Sequence, residues 1–315
     1  MSTLRDAIEE YLTVRRSLGY QVRGVGYALR AFAGFAERDG ATRVTTDLAL
    51  RWASQSSRHE LATVATRLRM VRRFAQWRQA TDPRTEVPPG DLLRARYQRH
   101  PPYLYSDEEI DQLLRAARNL RSPAGLRGLT YYTVFGLLAA TGLRVSEGVA
   151  LDETDVDLHA ALVTIRRTKF GKSRLVPLHV STIEPLARYG QTRNRVLPRR
   201  PSAAFFVSEQ GARLTVWAAD YAFARISGQI GLRPPIRGHH YGHGPRLHDL
   251  RHRFASRTLL GWYRAGVDVE QALPRLATYL GHVHVNDTYW YLEAVPELLE
   301  LATERVLNTP PEMAP

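Results

Sequence analysis

Apolar residues recur at helical spacing through most of the first hundred positions. LRDAIEEYLTVRRSLGY keeps that spacing until Gly19, and GYALRAFAGFAERDG repeats it until Gly40, a glycine placed to close a helix. Thr45 or Thr46 is positioned to cap a short helix through Trp52. ELATVATRLRMVRRFAQWRQA predicts a longer helix carrying Arg67, Arg69, Arg72, Arg73 and Arg78. TDPRTEVPPGD, residues 81–91, breaks the pattern with three prolines and a glycine, and residues 92–105 read as a polar linker. Ser106-Asp107-Glu108-Glu109 has the form of a capping box and opens a helix with Ile110, Leu113, Leu114 and Ala117 on one face. A strongly apolar helix over 126–141 stops at Gly142. Period-two alternation then takes over: ALVTIRRT and SRLVPL read as strands joined by KFGK, and AAFFVSEQG as a further strand and turn. Helices are expected near 215–229, 247–265, 269–280 and 296–306. PPIRGHHYGHGP, residues 234–245, reads as an exposed loop. The change of pattern puts a boundary between two modules near 98–104.

Composition narrows the class. The 315 residues suit about two domains, and 44% hydrophobic content with five Trp, nine Phe and fifteen Tyr fills real cores. The net charge of +13 points to a polyanionic partner, with nucleic acid first. Residues 1–100 hold 18 Arg against 10 acids, so the first module carries about +8 of that charge. The absence of cysteine excludes disulfides, thiolate metal sites and a cysteine nucleophile. MSTLRDAIEEYL has acids where a signal peptide has its apolar core, and no apolar run approaches the ~20 residues of a membrane span. The expected setting is cytoplasmic, with no membrane contact.

Among the 44 basic residues only Lys169 and Lys172 are lysines, and they lie three residues apart in the turn TKFGKSR. A genomic preference for arginine accounts for the bias but not for this clustering. Arginine stays protonated, with a pKa above about 12, whereas a lysine ammonium can give up its proton. A site that must donate a proton can use one and not the other.

Three more stretches stand out. Thr141-Gly142-Leu143-Arg144-Val145-Ser146-Glu147 sets an arginine just past a buried helix; by itself that suits a guanidinium satisfying helix carbonyls. His248-Asp249-Leu250-Arg251 sets an imidazole and a guanidinium on one helix face, a pair suited to phosphate. Leu280-Gly281-His282 is followed nine residues later by Tyr291, with Thr288 between. Each is weak alone.

In this order and at these spacings, the four stretches resemble the tyrosine recombinase (phage integrase) family over nearly the whole chain. The resemblance implies two domains. One is an all-α, SAM-like core-binding domain over 1–98 that clamps DNA. The other is a mixed, mainly α catalytic domain over 103–315 with a small antiparallel β-sheet or hairpin. It also carries over site residues one at a time. Arg144 takes the first arginine position, with Glu147 as supporting acid. Lys169 takes the hairpin lysine, with Lys172 and Arg174 as DNA-backbone contacts alongside Arg67, Arg69, Arg72 and Arg73. His248 and Arg251 take the H-x-x-R positions, His282 the LGH histidine, and Tyr291 the nucleophile. Tyr289, two residues nearer, falls to packing or support, and Trp290 to core or to bracing the nucleophile.

The residue types suit attack on a phosphodiester. Two guanidiniums offer planar forks of donors to its oxygens. Imidazoles add hydrogen bonds and one takes the tyrosine proton. Tyrosine can form a 3′-phosphotyrosyl bond, and the leaving 5′ oxygen then needs a proton, a role the resemblance gives to Lys169. Neither metal nor other cofactor is needed. The resemblance further implies a homo-tetramer on double-stranded DNA sites, with the same or related recombinases. Its setting would be bacterial and nucleoid-associated. The helix expected after residue 295 is a candidate contact to a neighbouring protomer. Phage and transposon integrases share the pattern with chromosome-dimer resolvases; the His/Gly loop and the run after His282 point toward a mobile element. Two rival readings stand beside it. A metal-dependent nuclease would use the C-terminal histidines, with His248 and His252 at i, i+4 spacing. A non-catalytic DNA-binding protein would keep the fold without the chemistry.

Overall fold

The computed structural model describes every residue except 1–2, 56–60, 94–101, 167–172, 200, 235–243, 295–296 and 299–315. The chain divides into two compact units, Met1–His100 and Pro101–Pro315.

In the first unit, α1 (Leu4–Ser17) begins at a reciprocal cap. The Thr3 hydroxyl accepts from the Asp6 amide at 3.1 Å, and the Asp6 carboxylate accepts from the Thr3 amide at 3.0 Å. α2 (Arg23–Arg38) starts three residues before the expected Gly26; α3 (Thr46–Ala53) is capped by the Thr45 hydroxyl, which accepts from Leu48 N at 3.1 Å. α4 spans Leu61–Arg78. The apolar faces of the four helices enclose Ile8, Leu12, Leu29, Phe32, Leu48, Trp52 and Phe74, all fully buried. Each such Leu or Phe contributes ~1.5–3 kcal/mol by leaving water.

The second unit is built around α6 (Leu126–Thr141), which is apolar on every side and buried, as a helix packed all round must be. α5 (Asp107–Arg118), α8 (Val180–Val196) and α10 (Asp249–Arg264) pack against it. A three-stranded antiparallel sheet, β1 (Val156–Asp157), β2 (Leu162–Ile165) and β3 (Arg174–Pro177), has the order β1-β2-β3. β2 and β3 pair from Leu162↔Pro177 to Ile165↔Arg174, which turns Val163, Ile165 and Val176 into the core. α9 (Val216–Gln229) follows. After α10, α11 (Val269–Leu280) and α12 (Asn286–Ala294) form a second apolar cluster with it. Among the described residues no helix is long and apolar enough to cross a membrane.

Several elements depart from the sequence pattern. α7 (Val145–Ala150) has six residues, too few to show a period. α8 contains Pro185, which ordinarily ends a helix; it starts at a His179 cap and continues because Leu186 and Tyr189 are buried against the core. α12 is too aromatic to alternate. AAFFVSEQG forms two isolated bridges, Asp152↔Ala204 and Val207↔Arg213, rather than a strand, with Phe205 and Phe206 buried between. Most of the helix expected near 296–306 and most of the loop 234–245 lie outside the described residues.

Candidate active site

α6 ends where Gly142 takes a left-handed conformation, φ 62°. A Cβ there would stand 2.5 Å from Phe254 Cδ1, so both backbone and space demand glycine. The turn sets Arg144 in extended backbone at the head of α7. Glu147, one turn on, reaches back to it: its carboxylate accepts from Arg144 N at 3.0 Å and Arg144 Nη1 at 2.9 Å. The same carboxylate accepts two bonds from Arg174, Nη1 at 3.1 Å and Nη2 at 2.9 Å. The Glu147 side chain is only 8% exposed. Burial alone pushes its carboxyl up, but hydrogen bonds and charge from Arg174, then Arg144, hold it below the usual range.

The end of α11 supplies the other half of the frame. A helix leaves its last carbonyls without intrahelical donors, and they form its negative pole. Here arginines fill them. Arg174 Nε donates to Tyr279 O at 2.7 Å, Arg251 Nη2 to Leu280 O at 2.6 Å, and Arg144 Nη2 to Gly281 O at 3.2 Å. Arg251 also donates to Gly142 O at 2.8 Å. Gly281 is left-handed, φ 68°, and a Cβ on it would meet Arg174 Nη1 at 2.7 Å. The TGLR and LGH stretches are therefore tied to each other through guanidinium–carbonyl bonds.

Arg251 is 2% exposed. Burial, then the nearby charge of Arg144, pulls its pKa down to about 10, with Tyr291 and Glu147 acting against that fall. A buried cation whose described hydrogen bonds end on neutral carbonyls favours the arrival of an anion.

Tyr291 lies on α12 with 2% of its surface exposed. Its hydroxyl stands 3.3 Å from His252 Nδ1. His282, at the start of the connection to α12, pairs its Nδ1 with the Thr288 hydroxyl at 2.7 Å, and Thr288 is fully buried. The His282 and Tyr291 rings are 6.3 Å apart and nearly parallel. His248 is exposed at the head of α10 and packs edge-on against His252 at 4.8 Å. Trp290 is half-buried and braces His252 at 5.1 Å.

Hydrogen bonds thus join Arg144, Glu147 and Arg251 into one frame, and His248 meets Tyr291 through His252. Lys169 and Lys172 lie outside the described residues, in the segment between the paired residues Ile165 and Arg174. Arg174, expected at the DNA backbone, is 11% exposed and spends its guanidinium on Glu147 and Tyr279. Arg67 lies over the Trp52 ring at 4.2 Å and Arg72 donates to Pro88 O, so these two fold back onto their own unit. Arg69 and Arg73 do face solvent, sharing a shallow pocket with Arg15 and Tyr20. Tyr289, assigned to packing or support, is 41% exposed.

His252 and the frame role of Arg174 were not legible as site features. The one local signal for His252 is its i, i+4 spacing from His248, a spacing that suits a metal pair. Among the described residues no group of three or more His, Cys, Asp or Glu side chains is arranged to hold a metal ion.

Comparison with known proteins identifies the family. The family model described as "Phage integrase family" matches residues 104–297. "Putative integrase/recombinase y4rB" of Sinorhizobium fredii is 48% identical over 97% of this chain and 98% of its own length. "Tyrosine recombinase XerD" of Ralstonia nicotianae is 32% identical over 78% of this chain and 74% of its own. Among solved structures, the Tn1549 transposon integrase in complex with transposon right end DNA superposes with a TM-score of 0.65 at 16% identity. That match covers 96% of this chain and 99% of that one. The XerH recombinase bound to its palindromic difH substrate gives 0.64 at 20% identity, covering 89% and 78%. The chain belongs to the phage integrase family, the tyrosine-type site-specific recombinases.

Proposed function

We propose that this chain cuts and rejoins double-stranded DNA at specific sites through a 3′-phosphotyrosyl bond to Tyr291. The observation that carries the reading is the meeting of Arg144 and Arg251 on the Leu280 carbonyl, with the buried Tyr291 ring 6.3 Å from that of His282, which follows the same helix end. A phosphate entering there exchanges neutral carbonyl partners for an anionic one, which favours binding and the further charge of the transition state. His248 and His282 supply hydrogen bonds to the same oxygens. Glu147 and Arg174 hold the frame.

Tyr291 attacks phosphorus, the bond to the 5′ oxygen breaks, and Lys169 protonates that oxygen. The phosphotyrosyl bond conserves the energy of the broken one, so a 5′-hydroxyl from another strand rejoins the DNA without ATP. The guanidiniums and Lys169 meet the charge and proton requirements that a metal would otherwise meet. In the first unit Arg69 and Arg73 contact backbone phosphates. XerH and the Tn1549 integrase were solved on DNA, which supports a duplex partner here. Joining two sites calls for four protomers, of this chain alone or with related recombinases. The 48% identity to an integrase/recombinase favours a mobile-element role.

The test is covalent trapping. Nicked duplexes cut from DNA flanking the gene are mixed with the protein in EDTA and run on a denaturing gel. An adduct that vanishes in Tyr291→Phe establishes the nucleophile and the metal independence together. An adduct that survives in Tyr291→Phe refutes the assignment and turns attention to Tyr289; activity only with Mg²⁺ revives the nuclease.

A further inference from the structure

We propose that Thr288 is a positioning residue that sets the tautomer of His282, with hydrogen on Nε2 and none on Nδ1, so that the ring meets a phosphate as a donor. This rests on the DNA-cleaving reading of the site given above. The Thr288 hydroxyl lies 2.7 Å from His282 Nδ1, and Thr288 is fully buried. A hydroxyl brings one hydrogen and two lone pairs; a neutral imidazole brings one N–H and one ring lone pair. If Nδ1 carried the hydrogen, Thr288 would accept it and its own hydrogen would point into the interior with no acceptor. A doubly protonated ring meets the same objection. If Nδ1 carries none, the hydroxyl donates to it and nothing is left over. Among the described residues the Thr288 side chain has no second hydrogen bond, so the choice falls on the hydroxyl as donor. An unmade buried donor weighs against the other arrangement by roughly tenfold.

The place of Thr288 in the fold carries this control into the site. It stands on α12 three residues before Tyr291, so the two share a helix face. His282 directly follows Gly281, whose carbonyl accepts from Arg144 Nη2 at 3.2 Å. The Thr288–His282 bond therefore ties the helix of Tyr291 to the end of α11, where Arg144 and Arg251 meet. One hydroxyl thus sets both which ring nitrogen carries hydrogen and where the ring stands relative to the arginines. Valine at this position has nearly the same shape and can do neither through a hydrogen bond.

The experiment has a spectroscopic arm and a kinetic arm, both on the full chain. Ring-nitrogen NMR of histidine-labelled protein, with the His282 signals identified by their loss in His282→Gln, should show hydrogen on Nε2 and none on Nδ1. Hydrogen on Nδ1 in the wild type overturns the proposal, and this arm stands whether or not any Thr288 variant folds. In the kinetic arm, single-turnover cleavage of a suicide duplex and DNA affinity are measured separately. Thr288→Val should slow cleavage ~10-fold, the worth of one buried hydrogen bond, with affinity changed little. Thr288→Ser keeps the hydroxyl and should recover most of the rate. Wild-type cleavage by Thr288→Val, or a Thr288→Ser as slow as Thr288→Val, overturns the proposal, the second because the methyl and not the hydroxyl would matter. In a His282→Gln background the side-chain amide donates with no tautomer to choose, so adding Thr288→Val should cost less than about twofold. A full ~10-fold cost there would show that Thr288 acts only by packing α12. Tyr291→Phe is run alongside. If its adduct persists, or if His282→Gln cleaves at the wild-type rate, the reading of the site fails; if both are impaired while Thr288→Val is fast, only this inference fails.

Discussion

Glu147→Gln tests the electrostatic frame directly. The wild-type carboxylate accepts four hydrogen bonds from Arg144 and Arg174 at 2.9–3.1 Å while almost wholly buried. A glutamine keeps one oxygen for these donors and turns an amide NH2 toward the rest, donor against donor. A charged hydrogen bond is worth ~1.5–3 kcal/mol, but four bonds to one group do not add. Removing one partner of a buried pair costs ~3–5 kcal/mol, because the other charges stay buried; that is the expected loss at pH 7. The carboxyl is held below its ordinary value of 4.5, so its contribution is complete above that pH. It fades as pH falls through the lower folded-state value. The two proteins should therefore converge in acid. Urea unfolding of the full chain, followed at pH 7 and in steps down to pH 3, reads both effects as a shift in midpoint at constant slope. A loss under ~1 kcal/mol at pH 7 would refute the idea that this carboxylate counterbalances the arginines. A gap that stays constant down to pH 3 would show that shape, not charge, explains the loss.

Two further outcomes follow from particular contacts. Gly142→Ala adds left-handed strain of ~1–2 kcal/mol and a Cβ 2.5 Å from Phe254. It should lower the thermal midpoint and slow adduct formation, since Arg144 follows directly. Arg69→Ala with Arg73→Ala should weaken DNA binding and reduce the salt dependence, log K against log salt, by ~1.8. Arg67→Ala should leave that slope unchanged and instead destabilise the first unit through the lost contact with Trp52, worth ~0.5–2 kcal/mol.

Local chemistry is what the chain order reveals. The caps at Thr45 and Ser106, the stop at Gly142, the β2–β3 pairing and the buried α6 are short-range consequences of hydroxyls, acids, glycines and apolar spacing, and all could be read in advance. So could the order of Arg144, Arg251, His282 and Tyr291, because the motifs are contiguous. Elements whose reason is tertiary could not. α8 survives its proline because the core pays for Leu186 and Tyr189 to be buried, and α7 is a single turn held by Glu147. The same limit separates the arginines: the four of α4 expected at DNA look alike in sequence, and only packing turns Arg67 and Arg72 toward their own unit and leaves Arg69 and Arg73 outside. Composition and spacing thus determined the types of group this protein brings to a phosphate. The tertiary structure alone decided that Arg174 serves the frame and that His252 meets Tyr291. Those partners are 27 and 39 residues apart in the chain, and no local period carries a contact over such a distance.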